Sequence, residues 1–215
     1  MLTLVANAGI FWQGILVTLA LAGVSFVISL PAGLILAVMR TSPVPGFRWF
    51  GAIYVSIFRN TPLAIVFFFS AFVLPQLGMN LSYFAYAIIA LVVYYSSFFC
   101  EAIRSGINAV PLGQAEAARS IGLGYQDNLR YIVIPQALRS SIPPVVNVVI
   151  ALVKSTAVAS AFGVGESLSS MQRLANDESD AVLIILFATA IIYLCMTIPL
   201  GLFANHIERR SAFAR

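Results

Sequence analysis

The chain has 215 residues, 60% of them hydrophobic and only 9% charged, with a formal net charge of +4. Ordinary soluble domains carry roughly 45–50% apolar and about 25% charged residues, so a water-solvated globule is excluded and an integral membrane protein is expected. The arginines stand at the ends of apolar runs rather than on one basic stripe, which argues against a nucleic-acid partner and for membrane orientation.

Only helices or closed barrels satisfy their backbones inside a bilayer, and a spanning helix needs about 20 mostly apolar residues. Residues 12–39 form the first such stretch. The run from Met1 to Met39 carries no charge, has no basic region ahead of it and exceeds a signal-peptide core, so it is expected to remain as a span. Arg40 and Arg48 follow it. The second stretch, 52–74, contains Arg59, Asn60, Thr61 and Pro62 near its start and the cluster Phe67-Phe68-Phe69 further on. Arg59 could snorkel to headgroups or turn inward with Asn60 and Thr61 to line a cavity, where Pro62 would free a carbonyl. The phenylalanines read as packing on lipid or on another chain.

The third stretch, 83–103, ends in Glu101 and Arg104, one helical turn apart and expected to pair as i,i+3 neighbours. Residues 105–141 are too polar to insert and too rich in helix formers to be slack. The Ala-rich run from Leu112 to Ser120 favours helix, and Gly122-Leu123-Gly124 provides the bend that stops it. A second helix is expected from Tyr125 to a boundary at Pro135. Two helices meeting at a glycine turn make a compact knob that can enter a groove on a soluble partner.

The fourth stretch, 142–164, holds Lys154, the sole lysine of the sequence, beside Ser155 and Thr156. A mid-bilayer ammonium costs about 2.5–3.5 kcal/mol on insertion scales, so Lys154 should face a polar cavity, to attract a substrate carboxylate, or pair with a carboxylate or carbonyls for packing. Gly163-x-Gly165 reads as the turn ending this span. Segment 166–180, with Glu166, Asp177, Glu178 and Asp180 against Arg173, reads as an outer loop, and 182–205 is the fifth stretch. His206 lacks companions at ligand spacing, and Cys100 and Cys195 read as packing residues.

None of the five stretches alternates with the period of two of a barrel strand. The expected architecture is all-α, one membrane domain over 1–215 with five spans. Arg40, Arg48 and Arg59, then Arg104, Arg119, Arg130 and Arg139, then Arg209, Arg210 and Arg215 mark the cytoplasmic side, placing the N-terminus outside and the C-terminus inside. Trp12 and Trp49 fall at interface depth, which fits. An odd number of spans cannot form two equal inverted repeats of the secondary-carrier kind.

The segment Glu116-Ala117-Ala118, Gly122 four residues on, and Ile132-Val133-Ile134-Pro135 is similar to the EAA loop of permease subunits of ABC importers. Ile134 stands where that family usually has Leu. The resemblance implies that Glu116, Ala117, Ala118, Gly122, Ile132 and Pro135 dock an ATPase subunit, and that the fold is of the type I importer kind. With one lysine, inside a span, a Gly-x4-Gly-Lys-Ser/Thr loop cannot exist here, so the chain is expected to be no enzyme. No cofactor is expected on it; ATP and magnesium belong to the partner.

Phe58-Arg59-Asn60-Thr61-Pro62-Leu63 and Leu152-Val153-Lys154-Ser155-Thr156-Ala157 resemble signatures of the polar amino acid permeases, the histidine, glutamine, arginine and glutamate group. Ala157 stands where that group often has Ser. The resemblance implies a pathway near Arg59, Asn60, Thr61, Lys154, Ser155 and Thr156. It also implies a bacterial plasma membrane, two ATP-binding subunits, a second permease chain and an external binding protein. Residues from Arg104 to Ser120 look most like glutamate permeases. Two rival readings stay open: an ATP-independent secondary carrier or channel, and an intramembrane enzyme, for which no catalytic constellation is found in the spans.

Overall fold

A computed structural model of the chain describes residues 7–212. Arg215 lies outside the described residues, and so do the side chains of Arg209 and Arg210. Among the described residues every regular element is helical. Four helices are long and apolar enough to cross a membrane, or five spans if one sharply bent pair counts as the fifth.

Helix α1 covers Ala8–Thr41. After a short connection α2 covers Pro45–Asn60, with Pro45 at its first turn, where a missing N–H costs nothing. Helix α3 follows over Leu63–Gln76, at an angle of 102° to α2. The stretch expected as one span, 52–74, is therefore two helices. Pro62 disfavours helical backbone at Thr61, and both residues are extended, with ψ of 134°. The opened helix end is covered locally. The Thr61 hydroxyl donates to the Ile57 carbonyl at 2.8 Å and the Asn60 amide to that of Ser56 at 2.7 Å.

Helix α4 covers Tyr83–Asn108 and starts on a Ser82 cap, whose hydroxyl accepts from the Ala85 N–H. Helix α5 is Leu112–Ser120. Helix α6 is continuous over Tyr125–Phe162. Pro135 was expected to end the knob's second helix, and it does not; the helix runs on through Pro143 and Pro144. The wide π turn Asn128–Val133 ends two residues before Pro135, just as the π turn Phe69–Val73 ends two residues before Pro75. A wide turn makes room for the proline ring and for the carbonyl whose donor is lost, so the helix bends rather than stops. Helix α6 tightens into a 3-10 turn and ends at Gly163, whose φ of +84° is left-handed. Helix α7, Ser167–Asp177, occupies the segment expected as an outer loop, and α8 covers Val182–Ala212.

Helix α4 is the centre of the packing, gripped by α1 on one side and α6 on another. The main core joins Leu21 of α1, Phe67 of α3, Leu91, Tyr95 and Phe99 of α4, and Leu152 of α6. Phe67 faces this core and stacks on Phe162 with ring centroids 5.3 Å apart, while Phe68 and Phe69 stay exposed. In a bilayer, helices associate through close packing rather than hydrophobic expulsion, which favours small residues at contacts. Gly33 meets that need, since a Cβ there would come 2.5 Å from the Phe99 Cβ and 2.9 Å from the Ser96 carbonyl.

Candidate functional site

Helices α5 and the start of α6 fold back on each other as a knob beyond the end of α4. Helix α5 closes with a Schellman arrangement. The Leu123 N–H donates to Ala118 O at 3.1 Å and the Gly122 N–H to Arg119 O at 3.0 Å, which requires the positive φ of +86° at Gly122. Asn128, buried at the start of α6, donates from Nδ2 to the Ala115 carbonyl at 2.9 Å and locks the second helix against the first. Sequence reasoning passed over Asn128, whose role depends on a contact 13 residues away.

Of the six residues assigned to docking, Glu116, Ala117, Gly122 and Pro135 are exposed, Ile132 is half-buried and Ala118 faces inward. Beside them Leu112, Ile121 and Tyr125 stand about four-fifths exposed, at 82%, 79% and 81%. Three large apolar side chains on a polar knob form a surface with contact chemistry.

The residues assigned to the pathway fall in two places. Lys154 is exposed in a groove of about 440 Å³ between α6, α7 and α8, lined also by Ala157, Met171, Gln172, Thr189 and Tyr193. Its walls are almost wholly apolar, and among the described residues no carboxylate pairs with the ammonium. Ser155 and Thr156 lie outside that groove's lining: the Ser155 hydroxyl shares a 2.6 Å hydrogen bond with Tyr95 OH, and buried Thr156 donates to the Val153 carbonyl.

Arg59 and Asn60 line a separate polar pocket of about 340 Å³ at the junction of α1, α2 and α4. Thr61 is not part of it and serves its own helix end. The expected Glu101–Arg104 pair is present at 2.9 Å, and Glu101 also takes Arg40 and, at 3.5 Å, Arg59. One carboxylate therefore ties three arginines from three helices, two of them distant in sequence.

Glu166 was read as one charge of an outer acidic loop. It is fully buried. Its carboxylate caps α7 by accepting from the Ser169 N–H at 2.8 Å, and it accepts from Tyr193 OH of α8 at 2.8 Å. Thr18 of α1 completes the cluster, donating to Ser167 Oγ at 2.9 Å. Burial pushes the Glu166 carboxyl up from its ordinary range, and the hydrogen bonds to it pull partly back.

The described residues form a bundle of apolar helices, four of them long enough to cross a membrane, with a two-helix knob at one end. Residues 29–212 match the family described as binding-protein-dependent transport system inner membrane component, and the chain belongs to it. It is 38% identical over 214 residues to a glutamate transport system permease protein, GluC, of Corynebacterium efficiens, covering 94% of this chain and 92% of that one. It is likewise 38% identical over 201 residues to GlnP, a probable glutamine ABC transporter permease of Bacillus subtilis, covering 93% and 92%. A crystal structure of an amino acid ABC transporter with histidines superposes with a TM-score of 0.90 at 30% identity, over 97% of both chains. A methionine ABC transporter, MetNI, in an inward-facing form shares the fold at a TM-score of 0.67 and 21% identity. The chain is thus an integral membrane permease subunit of an amino acid ABC importer, of the bacterial plasma membrane, and its homologues are permeases rather than ATPases.

Proposed function

We propose that the chain carries a polar amino acid, glutamate foremost, inward across the membrane at the expense of ATP hydrolysed on a partner. The observation that carries this reading is the knob, a rigid two-helix unit whose exposed Leu112, Ile121 and Tyr125 surround Glu116, Ala117 and Gly122. Such a surface is the natural seat of an ATPase subunit, two of which would serve an assembly of this chain with a second permease chain. An external binding protein delivers the amino acid. ATP and magnesium sit on the ATPases.

In this scheme ATP closes the ATPases, the knob moves with them, and the helices open a pathway outward; hydrolysis resets it inward. Because α6 runs unbroken from the knob to Lys154, movement at one end has a stiff path to the other. The N-terminus lies outside and the knob in the cytoplasm, which the arginines at the knob end support. Lys154 meets the substrate carboxylate. Glutamate is favoured by the GluC likeness and by the single cation of an otherwise apolar groove.

The test is uptake by vesicles holding the assembled transporter and its binding protein. ATP-dependent glutamate accumulation, outcompeted weakly by glutamine and arginine, supports the reading. Accumulation without ATP would return the secondary-carrier alternative to first place, and preference for another amino acid would overturn glutamate alone.

A further inference from the structure

The arginine pocket has more positive charge than its partner can neutralise. Arg40, Arg59 and Arg104 share the single carboxylate of Glu101, and among the described residues no second carboxylate pairs with them. Two positive charges are left over around Glu101; Arg40 and Arg59 line the recess itself, which Ser56 and Asn60 make more polar, while Arg104 joins Glu101 from outside that lining. Like charges gathered in a partly desolvated pocket repel, so the arrangement is stable when an anion joins it. Arginine is the side chain whose planar fork suits phosphate oxygens.

The surroundings decide which anion. Along α2, Trp49, Ile53, Ser56 and Asn60 recur at helical spacing and so share one stripe; Trp49 is 67% exposed and Ile53 50%. The polar wall of the pocket thus continues directly into an exposed tryptophan and isoleucine, the pairing of aromatic belt and acyl contact found at a membrane interface. On the opposite wall Phe98 lies under the Arg59 guanidinium, 5.6 Å from it, holding the cation at the rim. Basic pockets between transmembrane helices take lipid headgroups.

We propose that this pocket binds the phosphate of an anionic phospholipid, which completes the charge balance around Glu101 and bridges α1, α2 and α4. Arg59 is the main ligand, since it is the most exposed of the three arginines and the most loosely held by Glu101. If the arginines served orientation alone, any cation would do. The site requires the fork.

The assembled transporter, purified in mild detergent, is titrated with phosphatidylglycerol or phosphatidylcholine and its bound lipid counted by native mass spectrometry. Wild type should retain phosphatidylglycerol preferentially. Arg59→Gln should weaken that retention about fivefold, the worth of one interfacial arginine. Arg59→Lys should weaken it in the same direction, while Arg139→Gln, which neither lines the pocket nor pairs with Glu101, should not. Ser56→Glu, at an exposed position, fills the pocket with a tethered carboxylate and should abolish the preference, which keeps the test decisive if Arg59 variants fail to assemble. Equal retention of both lipids, or no change in Ser56→Glu, overturns the proposal. Displacement of phosphatidylglycerol by millimolar inorganic phosphate would overturn it too, by making the site one for soluble anions.

Discussion

The Asn128 side-chain amide donates to the Ala115 carbonyl across 2.9 Å, joining the two helices of the knob on the far side of the glycine turn. Helix α5, with nine residues, is not long enough to be stable alone. Its contact with α6 is therefore what makes the knob one body. Asn128→Ala should cost about 1 kcal/mol of local stability, the usual worth of a hydrogen bond. Hydrogen exchange should show faster labelling confined to residues 112–128, with the spans unchanged. Unaltered exchange there would mean the knob is held by other contacts.

Removing the hub of the arginine cluster should hurt more than removing a spoke. Glu101→Gln leaves Arg40, Arg59 and Arg104 facing one another without a carboxylate, at side-chain exposures of 20%, 43% and 27%. A loss of about 1–3 kcal/mol is expected for this partly buried group, against less than about 1 kcal/mol for Arg104→Gln. Thermal melting of the two variants in the same detergent checks the order. Equal melting points would show that Glu101 does not organise the cluster.

Lys154→Ala should lower amino acid uptake by tenfold or so while leaving assembly with partner chains intact, because one cation contact to a carboxylate is worth about 1.5–3 kcal/mol. Lys154→Arg should recover part of the loss. Failure of the Ala variant to assemble, with uptake normal in whatever complex remains, would give Lys154 a structural role instead.

Glu166 ties α1, α7 and α8 through a carboxyl whose burial raises its pKa above the ordinary 4.5. For such a group the neutral form fits the folded state better. Its contribution is fully present below the unfolded value near 4.5 and is lost as pH rises through the raised folded value. Glu166→Gln keeps the hydrogen-bonding shape without the ionisation. Melting points measured from pH 4 upward should fall for wild type relative to this variant across that window. Parallel curves would show that Glu166 does not change its protonation there.

The knob was largely legible in the sequence. Helix 112–120 and the bend at Gly122 follow from alanine propensity and glycine's access to positive φ, both local properties. Local reasoning failed where the cause was distant or directional. Hydropathy counts apolar residues but carries no direction, so the 102° break at Thr61–Pro62 stayed hidden inside an apolar run. Pro135 misled because a π turn can absorb a proline. The burial of Glu166 and the recruitment of Arg40 and Arg59 by Glu101 depend on partners at least 27 residues away, which no local pattern encodes.

The central claim is that the 112–135 knob couples this permease to an ATPase. Its most direct test is a gentle-detergent pull-down from native membranes, with partner chains identified by mass spectrometry, for wild type and Gly122→Trp. At φ +86° a tryptophan is strained and the Schellman turn should open, while the spans are untouched. An ATPase recovered with wild type and lost from an otherwise inserted Gly122→Trp is the predicted result. Equal recovery with both, or no ATPase with either, would contradict it.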